Sequence, residues 1–388
     1  MEAVEKVGPG NRFAIRTTIR YRTSLFQDDL YLTEAVTMKS CKKCLMAWCL
    51  SLVFLTMAVS STAQEAPYYK GKTVRIIAGF PAGGGVDAEA RLLAKFFERH
   101  IPGNPSVLVQ NMPGAGGMVA TNWFEQFAKP DGLTLHYTST TSINQQVFEM
   151  EGAKFDLRQW PLVGSIFRQT SVGFIHPDKL ARLAAPGPPL KVGVRAGDES
   201  WNAIFLWGAE FLKWNLTWVV GYGGGGEIRL AFRRNETDIF ATAVLPNFTE
   251  LIGDGFKPFV QQGTLTSGGS FQKRPEFPAV PTFDELLGAK RPTGVAWQAY
   301  VSWAGSDSAG RPLYATPKTP ANITKTLREA FSKLKEDKAF QADLLRVAGE
   351  DSNMLLAHEG EPILRQLLTV SPEVREYSNV LLKKHLKR

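Results

Sequence analysis

Residues Lys72–Ala94 read KTVRIIAGFPAGGGVDAEARLLA, and this stretch decides the fold class. Thr73–Gly79 is apolar and β-branched with no clean polar alternation, which is the composition of a strand buried on both faces. Pro81-Ala82-Gly83-Gly84-Gly85 breaks the strand. The residues after it set Leu92, Leu93, Phe96 and Phe97 on one helical face, ending at His100-Ile101-Pro102-Gly103, with Asp87 placed as the N-cap. A strand, a glycine turn and a helix make the repeating unit of a parallel α/β sheet.

The unit recurs along the chain. Val107–Gln110 is a strand, Asn111–Gly117 its glycine turn and Met118–Ala128 a helix; Leu133–Tyr137 is a third strand, followed by the polar turn Thr138–Ser142. After the loop Pro186-Gly187-Pro188-Pro189 a second set begins. It comprises a strand at Lys191–Val194, a helix carrying Trp201, Phe205 and Phe211, a strand at Thr217–Val220, the turn Gly221–Gly226, a helix from Glu227 and a strand at Ile239–Val244. The chain from Pro320 onward is helical. Two α/β lobes are expected, the first from 64–175 plus 286–388 and the second from 176–285. The hinge is expected near 170–176 and 285–300.

Composition narrows the class. The chain has 388 residues, 44% hydrophobic and 21% charged, with 35 glycines and 23 prolines, so neither disorder nor a fibre is expected. All three cysteines, Cys41, Cys44 and Cys49, fall in one window that has the layout of a secretory signal peptide over 38–63. Lys39, Lys42 and Lys43 precede an uncharged run of 16 residues, Cys44–Val59, and Ser61-Thr62-Ala63 offers small residues for cleavage. A spanning helix needs about 20 apolar residues, so an uncleaved anchor is the second reading of this run. Residues 1–37 read as an upstream extension, with Met38 a plausible start. Cleavage after Ala63 leaves a cysteine-free chain, which excludes disulfides, cysteine nucleophiles and thiolate metal sites and suits a bacterial periplasm. It also lowers the formal charge from +8 to +5, spread without a basic stripe, so no nucleic-acid partner is expected.

Open α/β sheets bind ligands at the carboxyl ends of their strands, where helix N-termini offer free N–H groups to anions. Three turns have that form: Gly83–Asp87, Gly114–Gly117 and Gly223–Gly226. Nucleotide motifs fail, because GGGVDA lacks the third glycine of a dinucleotide fingerprint and the Ala66–Thr73 imitation of a phosphate loop precedes its strand. His100, His136, His176, His358 and His385 are isolated, with neither metalloprotease spacing nor a GxSxG elbow. His136 reads as a packed histidine, Asp238 as a turn residue, and Trp201 and Trp303 as core aromatics that could line a cleft. Tyr222 is open between packing and ligand contact.

The combination of FPAGGGVD with VLVQNMPGAGG and KPDGLTL resembles the solute-binding receptors of tripartite tricarboxylate transporters, the Bug family. The likeness continues through FDLRQWPLVGSIFRQTSVGFIHP, VVGYGGGGEIRLAFRRNETDIFA and AVPTFDELLG in the family's order. It implies a periplasmic binding protein of two α/β lobes joined by crossing strands, type II-like, with a cleft that traps a small carboxylate. The partners implied are membrane subunits of a tripartite transporter; the chain itself is expected to be a monomer without catalytic activity, cofactor or metal. Carried over by motif, the ligand contacts are Phe80, Ala82, Gly83, Asp87, Gly114, Ala115, Gly116, Thr138 and Ser139 in the first lobe. In the second they are Ser200, Tyr222 and Gly224. This sequence departs from the family on the second-lobe side, with Gly223 where a lysine is usual and Glu199-Ser200-Trp201-Asn202 opening the preceding helix. The alternatives are a periplasmic sensor on the same fold and a hydrolase using Ser200 with His136 or His176.

Overall fold

The structure, a computed structural model, describes residues 67–167, 170–266, 269–348 and 353–386. The signal peptide, the upstream stretch and the three cysteines lie outside the described residues. In chain order the strands are β1 (Thr73–Ala78), β2 (Ser106–Asn111), β3 (Thr134–Tyr137), β4 (Leu162–Phe167), β5 (Val172–Ile175), β6 (Leu190–Val194) and β7 (Leu216–Val220). They continue as β8 (Ile239–Thr242), β9 (Lys257–Gln261), β10 (Thr264–Leu265), β11 (Phe271–Gln272), β12 (Arg311–Ala315) and β13 (Asn353–Leu356). The helices are α1 (Gly85–His100), α2 (Met118–Phe127), α3 (Thr141–Val147), α4 (Asn202–Phe211), α5 (Gly225–Arg233) and α6 (Leu245–Gly253). After them come α7 (Phe283–Leu287), α8 (Val295–Gly305), α9 (Ala321–Glu336), α10 (Lys338–Ala348), α11 (Ala357–Leu367) and α12 (Pro372–Leu386).

Two sheets organise the two lobes. The first has the order β13-β4-β12-β3-β1-β2 and the second β7-β6-β8-β5-β9, with β10 and β11 a separate ribbon. β1 pairs in parallel with β2 and β3, and β6 in parallel with β7 and β8. Both sheets are nevertheless mixed, unlike the parallel sheets expected. β12 is antiparallel to β3 and β4, and β5 is antiparallel to β8 and β9. The cause is connectivity. β5 and β12 are the strands by which the chain enters a lobe from the cleft, whereas β1 and β6 run toward the cleft and carry its loops.

The lobe boundaries also differ from the expected ones. β5, at 172–175, belongs to the second sheet, so the first crossing falls between β4 and β5. Of the segment 286–388, α8 and α12 pack on the second lobe instead of the first. Val374, Leu381, Leu382 and Leu386 of α12 are buried. The Tyr377 ring lies 6.1 Å from Trp207 and the His385 ring 5.3 Å from Trp218. Helical spacing announces such a helix but cannot name the sheet that covers its apolar face.

In the first lobe α1 presses Leu93, Phe96 and Phe97 onto the core, and Phe96 meets Phe340 of α10 edge-on at 5.4 Å. α9 lies so close on β4 that a Cβ at Gly164 would stand 2.2 Å from the Phe331 ring. Among the described residues no helix is long and apolar enough to cross a membrane.

Candidate ligand cleft

The turn from β1 into α1 is held in shape by its own helix. Gly83 takes φ +80°, a value glycine adopts without strain. Its N–H donates to Asp87 Oδ2 at 2.9 Å. The Asp87 carboxylate also accepts from Arg91 Nε at 3.0 Å and Asn111 Nδ2 at 2.9 Å, and the same Asn111 amide donates to the Phe80 carbonyl. Burial alone would raise this carboxyl, but the hydrogen bonds from Arg91, Gly83 and Asn111 outweigh it and hold the group below its ordinary range. Asp87 is therefore neither the N-cap, which is Gly84, nor a lining residue of the cleft. It is the brace of the loop.

The second lobe repeats the device. Gly223 N donates to Glu227 Oε2 at 2.8 Å, four residues on, and α5 starts at Gly225 behind an extended Gly224. In both loops a glycine N–H is tied to a carboxylate in the helix's first turn, leaving the remaining first-turn N–H groups without intrahelical acceptors. The two loops face each other. A Cβ on Gly224 would sit 3.7 Å from Pro81 Cδ of the other lobe. Between them lies a cavity of about 540 Å³.

Of the residues singled out from sequence, Phe80, Ala82, Gly83, Ser139, Ser200 and Gly224 border this cavity. Asp87, Gly114, Ala115, Gly116, Thr138 and Tyr222 do not. Tyr222 packs in the second-lobe core, its ring 3.2 Å from where a Gly193 Cβ would be. Thr138 is buried and its Oγ1 has no hydrogen-bond partner among the described residues.

The second glycine turn, 114–117, meets a carboxylate from its own chain. Gln145 Nε2 donates both to the Ala115 carbonyl, at 3.1 Å, and to Asp198 Oδ2 of the second lobe, at 2.7 Å. Asp198 Oδ1 stands 3.3 Å from the place of a Gly116 Cβ and has no hydrogen-bond partner among the described residues. Sequence spacing gives the turn but not its occupant, which arrives some 80 residues later.

Several cavity residues escaped the sequence reading. Arg195 stacks its guanidinium 4.9 Å over the Phe80 ring, donates through Nε to Glu199 at 3.0 Å and through Nη2 to Thr141 Oγ1 at 3.1 Å. Its four-residue spacing to Glu199 is the one available signal. Arg311 pairs with the buried Glu89 at 2.8 Å. Asp307, at the second crossing, accepts from Ser200 Oγ at 2.6 Å and Thr140 Oγ1 at 3.1 Å, so it ties one lobe to the other. Burial raises the Asp307 carboxyl, against those hydrogen bonds. Because the cavity's arginines already hold carboxylates, Arg195 with Glu199, Arg229 with Glu250 and Arg311 with Glu89, the positive character available to a ligand comes chiefly from the helix N-termini.

The suggested serine–histidine pairs are not assembled. Ser200 gives its hydroxyl proton to Asp307. His136 bonds the Ile77 carbonyl and Thr121, and burial drives its pKa down to about 4, so it is a neutral core residue at pH 7. His176 bonds the Phe232 carbonyl. Trp303 is a core residue stacked on Phe148, whereas Trp201 reaches the cavity. Asp238 accepts from Lys191 N and Lys179, a turn role. Among the described residues no cluster of three or more acidic, histidine or cysteine side chains is arranged to hold a metal.

No family model matches the chain. Protein BugT of Bordetella pertussis (strain Tohama I) is 34% identical over 90 residues, which is 23% of this chain and 27% of BugT. The chain thus matches about a quarter of the length of this curated relative. In fold the likeness runs over about four fifths of the chain. The periplasmic binding protein BugD superposes with a TM-score of 0.62 at 18% identity, covering 81% of this chain and 98% of BugD. MatC from Rhodopseudomonas palustris with bound malate gives 0.59 at 20% identity, covering 80% and 99%.

The chain is thus similar to Bug proteins in sequence over one short stretch and in fold over most of its length.

The Asp87 brace is open to direct test. Asp87→Ala leaves the Gly83 N–H, Arg91 and Asn111 without their acceptor, and should lower unfolding stability by about 2 kcal/mol. Urea unfolding checks it; a loss below a few tenths would mean that the loop holds its shape without the carboxylate.

Proposed function

We propose that the chain is an extracytoplasmic solute-binding receptor. It captures a small carboxylate-bearing organic acid and presents it to the membrane subunits of a tripartite tricarboxylate-type transporter. The observation that carries this reading is the convergence of two braced glycine loops, each opening a helix N-terminus, on one cleft between two lobes. Backbone N–H groups at the start of α1 and α5 complement a carboxylate, and the glycines let it approach closely. Contacts from both lobes make the closed arrangement the one a ligand favours. MatC, which shares the fold, holds malate, a carboxylate. A periplasmic location accords with the secretory pattern at 38–63 and with the description of BugD as periplasmic.

The test is a thermal shift on protein that has been unfolded and refolded to strip any co-purified solute. An acid at a hundred times its dissociation constant adds about 2.7 kcal/mol, so the melting point should rise by several degrees, saturably. The matching amide should give none. A cooperative melt that no mono-, di- or tricarboxylate shifts would overturn the reading.

A further inference from the structure

Resting on the receptor reading, we infer that the solute is a carboxylate bearing an apolar tail, aryl or alkyl, and that Trp201 packs against that tail. The cavity is about 540 Å³, within the ~300–1,000 Å³ of sites for drug-sized ligands. A short dicarboxylate held at the glycine loops would leave most of that space to water.

The second-lobe wall of the cavity carries a group of apolar side chains beside polar ones such as Ser200, Arg229, Thr242 and Asn247. Trp201, Ile228, Leu230, Phe240 and Val244 border it. They come from the connection after β6, from β8 and the residues just beyond it, and from α5, and β6 and β8 are neighbours in the second sheet. Leu230 is 45% exposed, and Trp201 and Val244 are half-buried, so these side chains form apolar surface that an apolar ligand would cover. Trp201 is set edge-on against Phe205 at 5.8 Å, and its indole N–H makes no hydrogen bond among the described residues. A fixed aromatic face with an unspent donor suits an amphipathic guest.

The charged groups agree with a single anionic end. Arg195, Arg229 and Arg311 are committed to Glu199, Glu250 and Glu89, so none of them is a spare cation for a second or third ligand carboxylate. Asp307 in the same cavity would repel one.

Calorimetry on the refolded protein would compare 3-phenylpropionate and octanoate with malate and citrate. At least one tailed acid should bind tenfold or more tightly than both short acids. Trp201→Ala should weaken that tailed acid at least tenfold, Trp201→Phe should restore most of the loss, and Leu230→Ser, at an exposed position that keeps the fold, should weaken it severalfold. Malate or citrate binding more tightly than both tailed acids would overturn the inference while leaving the receptor reading intact, as would unchanged tailed-acid affinity in Trp201→Ala and Leu230→Ser together. Binding of none of the four would overturn this inference and, with a failed carboxylate screen, the receptor reading too.

Discussion

Gly224→Leu should weaken carboxylate binding at least a hundredfold while the melting temperature of the ligand-free protein stays within about 2 °C. Gly224 has φ −166° and ψ 172°, an extended conformation that any residue adopts, so the substitution brings no backbone strain. A Cβ there stands 3.7 Å from Pro81 Cδ, which is ordinary contact. The remaining leucine atoms have only the gap between the two loops to occupy, and on the proposed function that is where the ligand's carboxylate would sit, beside the α1 and α5 N-termini. The open form tolerates the side chain because its lobes can part; the liganded form cannot. Isothermal calorimetry with whichever acid the screen identifies reads the effect, and an affinity within threefold of the unmodified protein would remove Gly224 from the site.

The other glycines are poorer probes, for reasons the structure makes specific. Gly83 takes φ +80°, so any side chain there strains the loop before it meets a ligand. Gly114 takes φ +140° and a Cβ there would stand 2.7 Å from Val119 Cγ2 of α2, away from the cavity, so its replacement should cost stability without a specific loss of binding.

What could be read from sequence follows from what is local. A β-branched strand, a glycine run and an amphipathic helix are written within some 25 residues, which is why Thr73–His100 was legible almost to its ends. The loops that form the cleft were legible for the same reason. The role of Asp87 was not, because a carboxylate after a glycine run can face a ligand or fold back on the loop. The matching offsets Gly83–Asp87 and Gly223–Glu227 carry the information once both are set side by side. Asp307, Arg311 and Asp198 reach the site or the second glycine turn by lobe crossings, and no spacing in the chain records such a meeting. The altered second-lobe segment Glu199-Ser200-Trp201-Asn202 was visible as a departure, and the cavity shows what one part of it does: Trp201 supplies wall where Ser200 supplies a tie to Asp307.

Asp198→Asn should leave stability nearly unchanged at pH 4 and raise it at pH 8, by on the order of 4 kcal/mol at most. Burial first, and the neighbouring Glu199 second, push the Asp198 carboxyl up to about 7, against the opposing pull of Gln145 and Arg195. An unfolded aspartate releases its proton near pH 4. Between about pH 4 and 7 the folded state therefore binds the extra proton, and the group's contribution to stability falls as pH rises through that window. Above it the penalty is constant, and it is the cost of a buried carboxylate whose Oδ1 has no partner among the described residues. Asparagine never ionises, and its carbonyl still accepts from Gln145 Nε2. Asp198→Ala removes that acceptor, frees the amide that also holds the Ala115 carbonyl, and should lower stability at both pH values. Calorimetric melts of the three proteins at pH 4 and pH 8 separate these cases. If Asp198→Asn were as destabilising at pH 8 as Asp198→Ala, the carboxylate would be ionised and well solvated by its neighbours. The contact between Asp198 and the 114–117 turn would then be a stabilising tie between the lobes instead of a strained one.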